Sequence, residues 1–328
     1  MIDISIIIVN FKGWKRLSQC LDSLNIIKDS RYSFEVIVID NKSDDGMIEG
    51  FRARFSKFNF ILNTGNFGFA NGCNLGAMNS KGAFLLFLNP DTVVNSEAIF
   101  AMFSQARERK LFSVISCCQV KEDGTKERPY GRFLSPTNLA GWLRAINKIV
   151  FFGHERPFTQ NENFLYPDWV SGSVIMVSRE TFTGLAGWDD DFWMYFEDVD
   201  LCRRARSRDG DVVLIKNVCI VHNHGGSSRI NKKVTALTKA CVNISRHIYI
   251  SKHVYGWKAY YMHGFLIFNN LLLGLPVAVT GLFLFFVSNL NIITLTYCQL
   301  LSYYLSVLKS GKWLSKRSVN FSRNDRLI

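Results

Sequence analysis

The sequence predicts an α/β fold, an open three-layered sheet, followed by a basic, apolar helical C-terminal region. Three observations point there. Short apolar runs alternate with amphipathic segments through the first 120 residues, which is the pattern of strand–helix–strand units around a largely parallel sheet. Hydrophobic residues make up 48% and aromatic residues 14% of the 328, enough to bury a full core and to exclude disorder. The charge is unevenly divided. Residues 1–226 hold 26 Lys and Arg against 26 Asp and Glu, whereas residues 227–328 hold 13 basic residues and one acid, so the net charge of +12 belongs to the C-terminal third.

Residues 3–10 (DISIIIVN), 35–40 (EVIVID), 59–62 and 83–88 (AFLLFL) are the apolar runs of buried strands. Between the first two, Trp14, Leu17, Cys20, Leu21 and Leu24 mark one face of a helix. Residues 46–57, 71–80 and 97–109 supply three more helices. In such sheets ligands bind at the carboxyl ends of the strands, and here those ends are polar: Asn10, Asp40-Asn41 and Asn89-Pro90-Asp91. Asp40 is the kind of residue that accepts hydrogen bonds from a ribose or a base, although residues 40–46 also read as a turn. Residues 65–76 (GNFGFANGCNLG) lie between a strand and a helix, and their glycines let backbone approach a ligand closely. A G-x-G-x-x-G is absent and the loop follows the third strand, which argues against a nicotinamide-dependent oxidoreductase. Residues 121–168 read as loop-rich, with Arg128, Arg132, Arg144 and Arg156 among aromatics. Residues 170–177 (VSGSVIMV) and 212–221 read as two further strands.

Residues 187–206 (GWDDDFWMYFEDVDLCRRAR) carry the densest chemistry. Glu197, Asp198 and Asp200 follow an aromatic run of Phe192, Trp193, Tyr195 and Phe196. Carboxylates crowded beside aromatics raise one another's proton affinity, which marks catalysis or cation binding. One acid would suffice for the first turn of a helix; three exceed that role. Asp91, at a strand end, can hold a divalent cation that bridges a diphosphate, though Asn-Pro-Asp is equally a common turn. His222 and His224 stand two apart and share one side of a strand; a polar turn with incidental histidines is the alternative. Eight cysteines show no C-x-x-C spacing, so reduced, buried thiols in a cytoplasmic setting are expected, without a zinc site.

The tail has its own logic. Fifty residues between Lys258 and Lys309 contain no Asp, Glu, Lys or Arg. Residues 264–287 are long enough to cross a bilayer, and residues 291–308 form a weaker second candidate. Basic residues flank the tract, as they flank cytoplasmic membrane borders. A hairpin through the membrane and amphipathic helices in the headgroup layer are both open, with Asn269, Asn270, Pro276 and a turn at residues 289–291 interrupting the spans. A buried helical pair is the alternative. Residues 2–9 are short, lack a basic lead-in and read as a first strand rather than a signal peptide.

Taken in order, IIIVNF, VIVIDNKSDDG, GNFGFANGCNLG, FLLFLNPDT and GWDDDFWMYFEDVDLCRR resemble a family 2 glycosyltransferase across residues 3–228. The resemblance implies the GT-A (nucleotide-diphospho-sugar transferase) three-layer fold with a mixed, mainly parallel sheet. It is nearest to bacterial rhamnosyltransferase-like members that build O-antigen or related cell-surface polysaccharides. It implies a catalytic domain over 1–228 and a membrane-associating region over 229–328, with a possible hairpin around 264–308. Donor contacts fall to Asn10, Phe11, Asp40, Gly65, Asn66, Gly68, Asn74, Asn89 and Asp91. Asp91 matches the last acid of the D-x-D motif; Asn89 stands at the first position, leaving a single acid for a Mg²⁺ or Mn²⁺ ion. His222 matches the histidine that completes the metal site, with His224 as the fallback. Asp198 matches the catalytic base beside Glu197, and Trp188, Trp193, Tyr195 and Asp200 fall on the acceptor side.

The implied reaction is an inverting transfer from a dTDP- or UDP-linked sugar, with rhamnose expected, to a hydroxyl of a polyprenyl-diphosphate-linked saccharide. The implied place is the cytoplasmic face of the bacterial inner membrane, against an anionic surface. A processive synthase is disfavoured because no Q-x-x-R-W motif occurs. A non-catalytic nucleotide-sugar-binding protein remains the rival of another class, and the presence of Asp91, Glu197 and Asp198 weighs against it. Nucleic acid is excluded as a partner because the positive charge borders an apolar tract while the α/β body is neutral.

Overall fold

The computed structural model describes residues 2–150, 157–223 and 231–324. The chain forms β1 (Ile4–Asn10), α1 (Trp14–Asn25), β2 (Phe34–Asp40), α2 (Met47–Arg54), β3 (Asn59–Leu62), α3 (Phe69–Met78) and β4 (Phe84–Leu88). It continues through β5 (Thr92–Val93), α4 (Ser96–Glu108), β6 (Val114–Val120), β7 (Tyr130–Gly131), α5 (Gly141–Val150), β8 (Thr159–Gln160), β9 (Phe164–Tyr166) and β10 (Trp169–Val170). Next come β11 (Val174–Ser178), α6 (Arg179–Gly184), α7 (Glu197–Ser207) and β12 (Val212–His222). The helices α8 (Lys232–His253), α9 (Trp257–Ile267), α10 (Gly274–Phe283), α11 (Ser288–Ser310) and α12 (Val319–Asn324) complete it.

The main sheet runs β3-β2-β1-β4-β11-β6-β12-β9-β8, with β5 paired to β12. Strands β1 to β4 are mutually parallel where they pair, β11 inserts antiparallel between β4 and β6, and β6 pairs parallel with β12. Alternation along β1 explains the three layers. Ile4, Ile6 and Ile8 enter one core with Leu17 and Leu21 of α1 and Ile99 and Met102 of α4. Ile7 and Val9 point the other way, toward α3. A Cβ on Gly76 would lie 2.4 Å from Ile7 Cγ2, and one on Gly72 would lie 2.7 Å from Val9 Cγ1. Those glycines let α3 sit flat on the sheet.

The structure departs from the sequence reading in four places. Strand β6 carries Ser116, Cys117, Cys118 and Gln119, whose small polar character hides a buried strand. Residues 170–177 are not one strand: residues 171–173 turn between β10 and β11, because the backbone there bonds to Pro129 and Asn89 rather than along a ladder. Residues 121–168 contain a helix, α5, and short strands. The turn expected at residues 289–291 lies instead at 284–287; Asn289 and Asn291 fall in the first turn of α11, whose N-cap is Val287.

The chain divides into two compact units. One comprises Met1–Arg132, Phe158–Asp190 and Glu197–Ser227; the other comprises Phe133–Pro157, Asp191–Phe196 and Ser228–Ile328. The second unit is helical. α8 and α11 run side by side in the same direction: Thr296 Oγ1 donates to Ala236 O, Ala240 packs with Leu300, and His247 Nε2 meets Tyr304 Oη at 2.9 Å. Leu139, Ile250, Met262 and Leu266 form a second cluster under α5 and α9. Segment Asp191–Phe196 is tied down within this unit. Lys252 Nζ meets Asp191 Oδ2 at 2.5 Å, Ser245 Oγ donates to Met194 O, and Arg317 stacks over Trp193.

Among the described residues one helical stretch, Trp257–Phe283, is long and apolar enough to cross a membrane, with a mean hydropathy of 1.8. It includes a π-helical turn at Phe268–Leu272 and is mostly uncovered. At its far end Leu282, Phe283, Phe285 and Phe286 are exposed.

Candidate active site

The first unit gathers polar residues where β1, β2 and β4 end. Asn10 and Asp40 are register partners and both are buried. Asn10 Nδ2 donates to Asp40 Oδ1 at 3.4 Å, and its Oδ1 accepts from Gly13 N. Asp40 also accepts from Ser43 Oγ at 2.5 Å and from Ser43 N at 3.0 Å. The carboxylate therefore pins the turn after β2, as the turn reading anticipates. Phe11 is an exposed aromatic at this corner.

The glycine- and asparagine-rich loop is held by a network rather than left open. Asn41 Nδ2 donates to Gly68 O at 2.9 Å, and Asn63 Nδ2 donates to Asn41 Oδ1 and Asn71 Oδ1. Asn74 Nδ2 donates to Trp188 O and Asp190 Oδ1, while its Oδ1 accepts from Trp188 N. Asn74 thus has its amide committed to the main chain before the acid motif. Asn66 Oδ1 accepts from Gly68 N, and Gly65 lies under the Phe67 ring. Trp188 itself is buried, edge-on to Phe69 and Phe87, so it packs the loop instead of offering a face to a sugar.

Helix α7 opens with the three acids, and each has a different fate. Asp200 is buried and ion-paired with Arg204 at 2.7 Å, one turn on. Arg204 also donates to Leu185 O, so the pair ties α7 to the preceding loop. Glu197 is buried; loss of water and then the charges of Asp198 and Asp200 push its pKa well above 4.5, with only its own backbone N–H opposing. Asp198 is partly exposed. Desolvation raises its pKa above 3.8, offset by hydrogen bonds from Gly172 N to Oδ2 (2.9 Å) and from Val199 N to Oδ1 (2.8 Å). Environment separates the neighbours: burial favours the protonated form of Glu197 more strongly, while backbone donors favour the carboxylate of Asp198. Tyr195 and Phe196, with φ of 69° and 68°, adopt left-handed backbone just ahead of α7, a strained conformation of the sort concentrated at functional sites. In the second unit Trp193 is buried beneath Arg317, whereas Tyr195 is partly exposed.

Strand pairing builds the second pole. β5 pairs antiparallel with the end of β12, Thr92 opposite His222, and Asn223 N donates to Asp91 O. Residues 131 positions apart thereby meet, with Asp91 Oδ1 3.3 Å from His222 Nε2. Asn89 N donates to Ser173 O, and its carbonyl accepts from Thr92. On the far side of the ring, His222 Nδ1 lies 2.8 Å from Gln119 Oε1, which also accepts from Ser173 Oγ. Glu127 Oε2 lies 3.6 Å from the same Nδ1, so the ring is set between Gln119 and Glu127 on one side and Asp91 on the other. Asp91 Oδ1 is buried and accepts no hydrogen bond among the described residues. A proton or a cation between Nε2 and Oδ1 makes this approach favourable. The donor set fits a divalent cation whose other ligands are phosphate oxygens and water. No group of three or more His, Cys, Asp or Glu that could hold a metal occurs among the described residues.

The two poles are joined. Ser173 reaches Gln119 and so His222, and its neighbour Gly172 donates to Asp198. The turn at residues 171–173 thus positions the Asp91–His222 pair and the Asp198 carboxylate together.

The sequence profile of Glycosyl transferase family 2 matches residues 5–169. The chain belongs to glycosyl transferase family 2. The matched region ends before β11, so α7 and β12 lie beyond it. This family 2 glycosyltransferase is 26% identical over 226 residues to the low-salt glycan biosynthesis hexosyltransferase Agl10 of Haloferax volcanii, covering 67% of each chain. It is 25% identical over 209 residues to the rhamnosyltransferase WbbL of Escherichia coli, covering 61% of this chain and 75% of that one. It is 23% identical over 270 residues to the N-acetylglucosaminyl-diphospho-decaprenol L-rhamnosyltransferase of Mycobacterium tuberculosis, covering 77% and 85%. These relatives make the chain rhamnosyltransferase-like. The crystal structure of GalNAc-T7 with UDP, GalNAc and Mn²⁺ superposes with a TM-score of 0.51 at 16% identity, over 77% of this chain and 50% of that one. That likeness confirms the GT-A fold.

Of the residues singled out in the sequence, Asn10 with Asp40, Asp91 with His222, and Glu197 with Asp198 are brought together in these pairs. Asn74, Asp200 and Trp188 are spent on internal contacts. His224 lies outside the described residues. Sequence reasoning missed Gln119, Gly172, Ser173 and Asp190. Gly172 had a faint signal, a Ser-Gly-Ser inside an otherwise apolar run; Gln119, on a strand that was itself overlooked, had none.

Proposed function

We propose that this glycosyltransferase transfers a sugar, L-rhamnose from dTDP-rhamnose, with inversion to a hydroxyl of a polyprenyl-diphosphate-linked saccharide in cell-surface polysaccharide synthesis. The observation that carries this reading is the Asp198 carboxylate, held by Gly172 and Val199 beside the buried Glu197 and linked through Ser173 and Gln119 to Asp91 and His222. The names of the Escherichia coli and Mycobacterium tuberculosis relatives support the sugar, and the second supports the lipid-diphosphate acceptor.

Asp198 accepts the proton of the acceptor hydroxyl as that oxygen attacks the anomeric carbon. Its raised proton affinity makes it a better base than an ordinary aspartate, while backbone donors keep it ionised. Burial raises the proton affinity of Glu197, which opposes a second negative charge beside Asp198. Attack from the face opposite the leaving group in a single step inverts the anomeric centre. Asp91 and His222 would hold a divalent cation, Mg²⁺ or Mn²⁺, which when bound neutralises the departing diphosphate. Asp40 and Asn10 hold the corner at which Phe11 offers a ring to the base. Tyr195, which is partly exposed, is assigned to the acceptor side. The basic, apolar tail of residues 229–328 carries the enzyme to the cytoplasmic leaflet, where such an acceptor resides.

The test is transfer from a panel of nucleotide sugars to a polyprenyl-diphosphate-linked N-acetylhexosamine, with Mg²⁺ or Mn²⁺ and with chelator. Metal-dependent transfer from dTDP-rhamnose is expected, and Asp198→Asn should lose it by a factor of about 10³ or more while still binding nucleotide. Near-normal turnover by Asp198→Asn would overturn the base assignment, and transfer from a UDP-sugar alone would overturn the donor.

A further inference from the structure

The second unit contains a cleft that the transfer chemistry does not use. About 350 Å³ in volume, it lies between α8, the π-turn leading into α10, and α11. Lys239, Asn243 and Arg246 line it from α8, at i, i+4 and i+7 and therefore on one helix face. Tyr297 faces it from α11, and Val242, Ile293 and Leu300 supply apolar wall.

Its electrostatics are one-sided. Among the described residues neither Lys239 nor Arg246 forms an ion pair with a carboxylate, and residues 227–328 contain a single acid, Asp325. The Arg246 guanidinium has only long bonds of 3.4 Å, to Leu139 O and Asn243 Oδ1. Burial and the neighbouring Arg144 both work against its charge. Two cations lining one cleft, with no carboxylate partner among the described residues, suit an anion, and a guanidinium matches phosphate oxygens in geometry.

The hairpin sets the depth. α10 starts at Gly274, which lines the cleft, and runs ten residues to Phe283. That is about 15 Å of helix, half the roughly 30 Å hydrocarbon core of a bilayer. Beyond it Phe283, Phe285 and Phe286 are exposed. A hairpin that entered a bilayer tip first to its midplane would place the cleft at headgroup depth. We infer that this cleft binds the phosphate group of an amphiphilic lipid whose chain lies along the apolar hairpin. Two sources share this chemistry, the lipid-linked acceptor's diphosphate and a membrane phospholipid; the first rests on the function proposed above.

The experiment uses the full chain and phosphatidylcholine vesicles doped with a polyprenyl diphosphate, with phosphatidylglycerol at equal total charge, or with neither. Wild type should bind the diphosphate vesicles most tightly. Lys239→Gln and Arg246→Gln should each weaken that binding by about tenfold, Lys239→Arg should restore it, and Lys316→Gln, outside the cleft, should preserve the preference. Lys239 is exposed, so its variant carries the test even where Arg246→Gln fails to fold. Equal loss on both anionic vesicles identifies a phospholipid as the occupant. Diphosphate binding unchanged in Lys239→Gln overturns the site, as does a loss no greater than that of Lys316→Gln. Sugar transfer is scored separately: absence of transfer by wild type with lipid discrimination intact would sink the proposed function and leave the cleft standing.

Discussion

At the residue scale, Asp198 and Glu197 are adjacent carboxyls in different surroundings, and burial and backbone donors divide them. Gly172 is the support that can be moved. A Cβ there would lie 3.3 Å from Asp198 Cβ, so Gly172→Ala must shift the carboxylate by a few tenths of an ångström. We expect kcat to fall about tenfold with donor affinity unchanged, since small displacements of a reacting group are costly; steady-state kinetics with nucleotide titration checks this. Glu197 makes a prediction about stability. Its folded pKa is raised, so its contribution is fully present below the ordinary value of 4.5 and is lost as pH rises through the folded pKa. Within that window the wild type should lose up to about 1.4 kcal/mol per pH unit from this group. Glu197→Gln should flatten the slope, which urea denaturation across that pH range would measure.

Among the elements, α3 and the β5–β12 pair do the positioning. Gly76→Ala sets two effects against each other. Alanine favours a helix by about 1 kcal/mol, but its Cβ would meet Ile7 Cγ2 at 2.4 Å inside a fully buried layer. Overpacking of that kind costs about 1–3 kcal/mol, so the clash wins and the variant should be less stable, with a lowered midpoint in chemical denaturation. The β5–β12 ladder is only two residue pairs long, yet it carries Asp91 to His222. Its shortness is offset by Asn223 N donating to Asp91 O.

For the whole molecule, a neutral α/β unit holds the acid pair and the Asp91–His222 pole, and a basic helical unit holds the apolar hairpin. Replacing Phe283, Phe285 and Phe286 by serine removes apolar surface that touches little of the core. About 2 kcal/mol per phenylalanine is then lost from membrane partition and little from folding. Cosedimentation with phosphatidylcholine vesicles should drop sharply with the circular dichroism spectrum unchanged; undiminished sedimentation would place the membrane contact elsewhere.

The family's fold was legible in this chain because its signals are local. The strands DISIIIVN and EVIVID, the helix face from Trp14 to Leu24 and the acids opening α7 all appear where period and composition place them. The positions of Asp91 at a strand end and of Glu197 and Asp198 in an acid cluster were legible by residue type, while His222 was singled out by the family resemblance and is set beside Asp91 by strand pairing. Tertiary structure alone decided how they are used. Asp200 and Asp198 look alike in sequence, yet one is sealed by Arg204 and the other is held open by Gly172. Trp188 reads as a sugar platform and packs as core. The reason is physical: periodicity reports which face is buried, whereas the partner of a buried polar group is chosen by strands and turns distant in sequence, as when β5 and β12 join Asp91 to His222.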